Sequence, residues 1–335
     1  MRTSELGADR LVALAYAFRN AKALLSAVEL DVFTTLAGQP LGKDELRSRI
    51  GLHERGARDF FDTLVALGLL ERDQAGVYAN APDSDHYLDR EKASYIGGLL
   101  EHLGTREYPH WGMLTAALRT GEPQSQRSLS NGSLFEDELA LEVFVKGMTG
   151  DSLPAAQALA AKFPWQDYAS VVDIGTAEGC LPVQVALKHA HIEGCGFDRT
   201  PVKQFFDSYV RVHGLGDRVR FSEGDFFSDP LPLAEVMVLG RVLHNWDLET
   251  KRMLLSKAYE ALPAGGALIV YERLIDDERR TNTPALLSSL NMLVMTSGGF
   301  DFTAGDCVGW MQTAGFRDCR SEPLTHDISM IVAVK

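Results

Sequence analysis

Three short apolar runs in this 335-residue chain end in acids, and those acids are what a ligand would meet first. Asp173 stands in Val172-Asp173-Ile174-Gly175-Thr176-Ala177-Glu178-Gly179, Asp198 follows Gly179 by nineteen residues in GCGFD, and Asp225 lies in Glu223-Gly224-Asp225-Phe226-Phe227. Gly175 and Gly179 let the backbone turn tightly and come close to a ligand at the carboxyl edge of a sheet. The spacing is not the G-x-G-x-x-G of a dinucleotide fold, and Asp173 would repel a pyrophosphate. Asp198 can accept both hydroxyls of a ribose. The Glu223–Phe227 segment offers an acid to an adenine amino group and an aromatic face to its ring. Any one of these acids is as readily the N-cap of a following helix. All three together suit a positively charged nucleoside such as S-adenosylmethionine.

Such acids need a sheet to carry them. From Val171 onward, VVDIG, CGFD, RVRFSEGD, EVMVLGRVL and ALIVYER alternate with the helical stretches LPVQVALKHA, PVKQFFDSYVRVHG and ETKRMLLSKAYEAL. This alternation predicts a doubly wound, mostly parallel sheet of an α/β domain. The last run, SMIVAVK, has no helix after it and is expected to join antiparallel. Upstream, Leu14, Phe18, Ala21, Leu24, Leu25 and Val28 form the stripe of an amphipathic helix over Leu11–Leu30. DVFTTLAG, KDELRSRIG and ERGARDFFDTLVALGLLER continue as helices, and DQAGVYAN closes a small hairpin, so the largely helical N-terminal part spells a winged-helix module. Residues 93–163 read as helical around one loop, TGEPQSQRSLSNGS, which is expected to be mobile. The expected division is 1–92, 93–163 and 164–335.

Composition narrows the function. At 45% hydrophobic and 24% charged, the chain is an ordinary globular protein long enough for two domains. Its net charge of -13 repels phosphate backbones and anionic membranes. Residues 41–90 hold seven Lys or Arg against ten acids, the wrong balance for a helix that reads DNA. A dimerisation role, with the apolar first helix against its twin, suits the module better. The cysteines, Cys180, Cys195, Cys307 and Cys319, form no CxxC pair, and no signal peptide or run of ~18 uninterrupted apolar residues is visible. A cytoplasmic protein with no nucleic-acid or membrane partner is expected.

With these motifs in one order, the chain resembles the class I S-adenosylmethionine-dependent O-methyltransferases of the caffeate and acetylserotonin type, in their bacterial natural-product branch, over nearly its whole length. The family runs VDVGGGxG, FDLP, GDFF, LHDW and GGKERT behind a winged-helix dimerisation domain. The corresponding segments here are VVDIGTAEG, FDRTP, GDFF, LHNW and GGFDFT.

The resemblance implies a Rossmann-like methyltransferase domain over 164–335, a substrate-lid region over 93–163, S-adenosylmethionine as cofactor, a homodimer and an aromatic acceptor. It also implies that Asp173 and Gly175 lie along the methionine moiety, with Ser152 on its carboxylate and Gly179 also binding the cofactor. Asp198 would take the ribose, Asp225 with Phe226 the adenine, and Gly240 would lend backbone beside them. His244, in Val242-Leu243-His244-Asn245-Trp246-Asp247, matches the family base; a phenol is mostly protonated at neutral pH, and an imidazole can take its proton as the oxygen attacks. Glu272 in VYER and Asp301 in GGFDFT match the acids that orient it. Met148, Trp246, Asn291, Met292 and Met295, with Phe300, would line an apolar acceptor pocket, although methionines are equally ordinary core. Arg106 and Arg241 are candidates for an acceptor carboxylate, or surface residues.

Three departures stand out. Thr176 and Ala177 replace family glycines, Asn245 replaces an acid, and Phe300 and Phe302 replace the charged neighbours of Asp301. Rival readings remain. Hydroxylase or decarboxylase relatives typically lack the histidine. An iron-dependent C-methyltransferase of α-keto acids would place a second histidine near 295, where this chain has methionine and none falls between His244 and His326; no metal is expected, although His110 offers an alternative ligand. A ligand-sensing winged-helix regulator is the reading outside enzymes.

Overall fold

The computed structural model describes residues 8–92, 94–125 and 132–335. Residues 1–7, where a leader was sought, and 126–131 of the expected mobile loop lie outside the described residues. The chain divides into two compact units, one ending at Arg106 and the other spanning Glu107–Lys335.

In the first unit α1 (Asp9–Glu29) is followed by α2 (Val32–Leu36), β1 (Leu41–Gly42), α3 (Lys43–Arg49), α4 (Glu54–Ala66), β2 (Leu70–Arg72), β3 (Val77–Asn80), α5 (Pro82–Leu88) and α6 (Gly97–His102). α4 buries Ala57, Phe61 and Leu64, four and three residues apart, so one face meets Phe33, Leu46, Leu70 and Tyr78 in a single core. The hairpin of β2 and β3 is joined by β1 in the order β1-β3-β2. That third strand was not foreseen, since two residues carry no periodicity. The expected stripe of α1 is only half used within the unit: Leu25 and Val28 are buried, whereas Leu14 is 70% and Phe18 54% exposed. By length and mean hydropathy (1.3) alone, α1 also meets the test for a membrane-crossing helix.

The second unit opens with α7 (Tyr108–Trp111), α8 (Leu114–Thr120) and the long α9 (Glu138–Lys162). There follow β4 (Ser170–Ile174), α10 (Cys180–Lys188), β5 (Glu193–Asp198), α11 (Lys203–Val212), β6 (Val219–Glu223), β7 (Val236–Gly240), α12 (Leu248–Ala261) and β8 (Ala267–Glu272). The chain ends with α13 (Thr283–Met295), α14 (Ala304–Ala314), β9 (Arg317–Pro323) and β10 (Ser329–Val334). The sheet runs β6-β5-β4-β7-β8-β10-β9. Its first five strands are parallel, and β10 pairs antiparallel with β8 as expected. β9 was missed because its side chains are mostly exposed and charged, as suits an unpaired edge, and show no apolar alternation. Strand order reverses between β4 and β7, so the loops at their carboxyl ends part and leave a crevice there.

A chain of largely shielded charges ties α9 to that crevice. Asp151 of α9 accepts from Arg273 Nη2 at 2.6 Å and Nη1 at 3.1 Å, and Arg273 Nε donates to Asp327 at 2.8 Å. Arg241, just past β7, stands 3.4 Å from Asp151 through Nε and donates through Nη1 to Glu272 at 3.2 Å. Burial alone would raise the Asp151 carboxyl, but the two guanidinium groups outweigh it and hold it at about 2. Asp151→Asn leaves both arginines short of a buried partner and should cost about 3–5 kcal/mol of unfolding free energy in chemical denaturation. Because the folded carboxyl is depressed, its contribution is full above pH ~4 and is lost as pH falls toward 2. The variant should lack that part of the acid dependence.

Candidate active site

The turn after β4 is shaped by what cannot stand there. A Cβ on Gly175 would lie 2.9 Å from Val242 Cγ2, and one on Gly240 would lie 2.1 Å from the Tyr271 ring. Bare backbone at both places lets the ends of β4 and β7 close on the crevice, with Gly175 and Gly179 also at positive φ. Thr176 donates from Oγ1 to Asp173 at 2.8 Å, and Ala177, at φ 49°, donates its N–H to Asp198 at 2.9 Å. Arg199 N–H occupies the other Asp198 oxygen at 2.8 Å. Loss of hydration pushes Asp173 up to about 7 and Asp198 to about 6; the Thr176 hydroxyl partly opposes the first shift and the two backbone N–H groups the second. These are carboxyls in want of a cation or of hydroxyl donors. Asp225 also works as a local cap, its Oδ1 accepting from Phe227 N–H at 2.9 Å. Phe226 sets its ring edge-on to Trp246, with centroids 5.7 Å apart, which joins the loop after β6 to the turn after β7.

His244 sits in a single 3-10 turn, Leu243–Asn245, buried to 5% exposure. Asn245, where the family acid was expected, closes this turn by donating Nδ2 to the carbonyls of Arg241 and Val242. His244 N–H reaches Glu272 Oε1 at 3.3 Å. Its Nδ1 lies 3.4 Å from Asp301 Oδ1 and 3.9 Å from Glu272 Oε2, both acids being 1% exposed. Burial alone would raise Asp301; the His244 imidazole and the Arg241 guanidinium outweigh it and hold the carboxyl below its usual range. The backbone of Asp301 is fixed to α13 by its N–H on Ser289 Oγ. Among the described residues these three are also the group whose ligand atoms lie close enough for a metal ion, within 4.8 Å of one another. Arg241, already paired with Glu272, supplies positive charge to the same place.

Ser152 lies one residue from Asp151 on α9, with its hydroxyl at Tyr271. Met148, Asp151 and Ser152 therefore share one helix face. Asn291 accepts from Trp111 Nε1 at 2.8 Å, which ties α13 to α7, and Met292 is buried beside it. Met295 joins Ala117 and Val294 in a small apolar cluster between α8 and α13. Phe300 lays its ring over Lys251, with Nζ 3.4 Å from the centroid. Arg241 is no surface residue: its side chain is 9% exposed, at a left-handed φ of 56°, and engaged with two acids. Asp151, Arg273 and Lys251 had been overlooked, because charged residues inside helical or strand-end patterns look like solvated ones.

Known proteins resemble this chain over nearly its whole length. The model of the O-methyltransferase domain matches residues 111–317, and that of the O-methyltransferase dimerisation domain matches residues 12–90. The tetracenomycin polyketide synthesis 8-O-methyl transferase TcmO of Streptomyces glaucescens is 41% identical over 98% of this chain and 97% of its own. The N,N-dimethyltransferase OxyT of Streptomyces rimosus is 36% identical over 98% and 96%. Among solved structures, human N-acetylserotonin methyltransferase in complex with S-adenosylmethionine superposes with a TM-score of 0.92 at 28% identity, covering 100% of this chain and 99% of that one. The chain belongs to the S-adenosylmethionine-dependent O-methyltransferase family.

Proposed function

We propose that the protein is a cytoplasmic homodimer that methylates a hydroxyl group of an aromatic secondary metabolite, with His244 as general base. The observation that carries this reading is the turn of the imidazole toward two buried acids through Nδ1, which leaves Nε2, across the ring, for the proton of an acceptor. Glu272 and Asp301 hold the ring and offset the charge it gains. Arg241 keeps Glu272 paired, so the cluster carries too little net negative charge to favour a divalent ion. The acceptor class follows from similarity to the tetracenomycin enzyme and from the apolar character of Met148, Trp246 and Met292, with Asn291 as their polar neighbour. In this reading the segment 93–163 contributes the lid. The exposed apolar face of α1 meets a second copy.

The residues at the β4–β7 crevice fit the family cofactor. Gly175, Gly179 and Gly240 offer bare backbone, Asp173 and Ser152 would hold the methionine end, Asp198 the ribose, and Asp225 with Phe226 the adenine. When bound, S-adenosylmethionine supplies an electrophilic methyl group on a sulfonium that is already a good leaving group. The protein's remaining work is to aim the acceptor oxygen, exclude water and take one proton.

Methyl-labelled S-adenosylmethionine, offered with hydroxynaphthoates, polycyclic phenols, catechols, amines and α-keto acids, should place label on an aromatic oxygen, unchanged by chelator. Label on nitrogen would move the chain toward OxyT, and label on carbon that chelator abolishes would overturn the metal-free base. His244→Gln should cut kcat by roughly 100-fold or more while calorimetry finds the cofactor Kd unchanged; equal turnover removes the base assignment. Asp198→Ala should weaken cofactor binding by about tenfold or more. Cofactor binding favours the ionised forms of Asp173 and Asp198, which lie near 7 and 6. Affinity should therefore rise with proton release as pH climbs from 5 to 8, and a flat profile would place the ribose elsewhere.

A further inference from the structure

Phe300 and Phe302 put two phenyl rings where the resembling enzymes carry charges beside the late acid. A buried cation from another element stands against these rings. Lys251, in the first turn of α12, is fully buried, and its Nζ donates to the Trp246 carbonyl. The same ammonium lies 3.4 Å from the Phe300 centroid and 5.7 Å from that of Phe302. A cation near a helix N-terminus opposes the helix dipole, so helix stability does not explain it. Buried ammonium groups persist where opposite charge and ring faces replace their water. Glu272 of β8, Asp301 after α13 and Asp247 at the head of α12 face this one, together with the Cys307 thiol of α14, which burial keeps neutral.

We propose that Lys251 is a positioning residue of the methyl-transfer site, clamping the Trp246 end of the turn that carries His244. The proposal rests on the reading of His244 as base. Trp246 is two residues from His244, so a clamp on its carbonyl fixes the turn from which the imidazole projects. The two acids that face His244 Nδ1 are also the counter-charges of the ammonium, which makes one electrostatic cluster of all four groups. Loss of hydration lowers Lys251 to about 8 against the pull of Glu272, Asp301 and Asp247. The clamp is thus charged at neutral pH and is lost as pH rises past 8.

Lys251→Met keeps most of the side-chain length and removes the charge. With a 3-hydroxy-1-naphthoate probe, kcat should fall about 10- to 100-fold, while the S-adenosylmethionine Kd stays within about twofold of the unsubstituted protein. The alkaline fall of kcat near pH 8 should vanish, and the His244 ring signals in histidine-selective ¹⁵N spectra of the full chain should shift. Shifted signals with unchanged turnover would keep the clamp and remove His244 as base. Unmoved signals with an unchanged pH profile would overturn the proposal. Should Lys251→Met not fold, Phe300→Leu removes the ring face and keeps the lysine. It should then move the same signals and bring the alkaline fall to lower pH, and its failure to do either would overturn the clamp.

Discussion

Compensation of buried charge is the constraint on which this structure turns. Asp151, Glu272 and Asp301 lie inside the second unit, and each would be costly alone. Arg241, Arg273 and Lys251 answer them, with the His244 imidazole set among the same groups. Replacing the whole set by apolar side chains would stabilise the fold about as well. In the proposed reaction, an imidazole that becomes imidazolium needs acids already fixed and already neutralised. The left-handed φ of Arg241 fits this view: a non-glycine residue held there costs of order 1 kcal/mol. What the strain secures is a guanidinium that reaches α9 and the end of β8 together.

Sheet topology decides where that cluster can be built. Strand order reverses between β4 and β7, so their following loops diverge and leave room at the carboxyl edge. Nucleoside-type acids at the ends of β4 and β5 fall on one side of that edge, and the ends of β7 and β8 carry Gly240, His244 and Glu272 on the other. A Cβ on Gly175 would crowd the Val242 side chain, so the glycine lets the turns after β4 and β7 approach closely.

Much of this was legible in the residues. Strands ending in Asp173, Asp198 and the Glu223–Phe227 segment, and the antiparallel SMIVAVK run, all read directly from apolar alternation, because parallel strands buried on both faces leave long apolar runs. His244, Glu272 and Asp301 came from motif resemblance, and the structure brings their side chains together. Arg241, Asp151, Arg273 and Lys251 were not legible as a network. Their partners are distant in sequence, and a lysine inside ETKRMLLSKAYEAL has the pattern of an exposed helix position until the fold closes over it.

The loop after β4 shows how a departure from a family pattern can be compensated locally. Thr176 and Ala177 stand where glycines would bend freely, and Ala177 adopts φ 49°. Two hydrogen bonds answer that cost, the Thr176 hydroxyl on Asp173 and the Ala177 N–H on Asp198. Each bond is strongest when its carboxyl is ionised, whereas burial favours the protonated form of both acids. Loop shape and carboxyl ionisation are therefore one equilibrium. In the proposed cofactor site, a cationic nucleoside that draws Asp173 and Asp198 toward their charged forms would also tighten the loop that receives it, replacing the freedom of glycine with an order that the ligand completes.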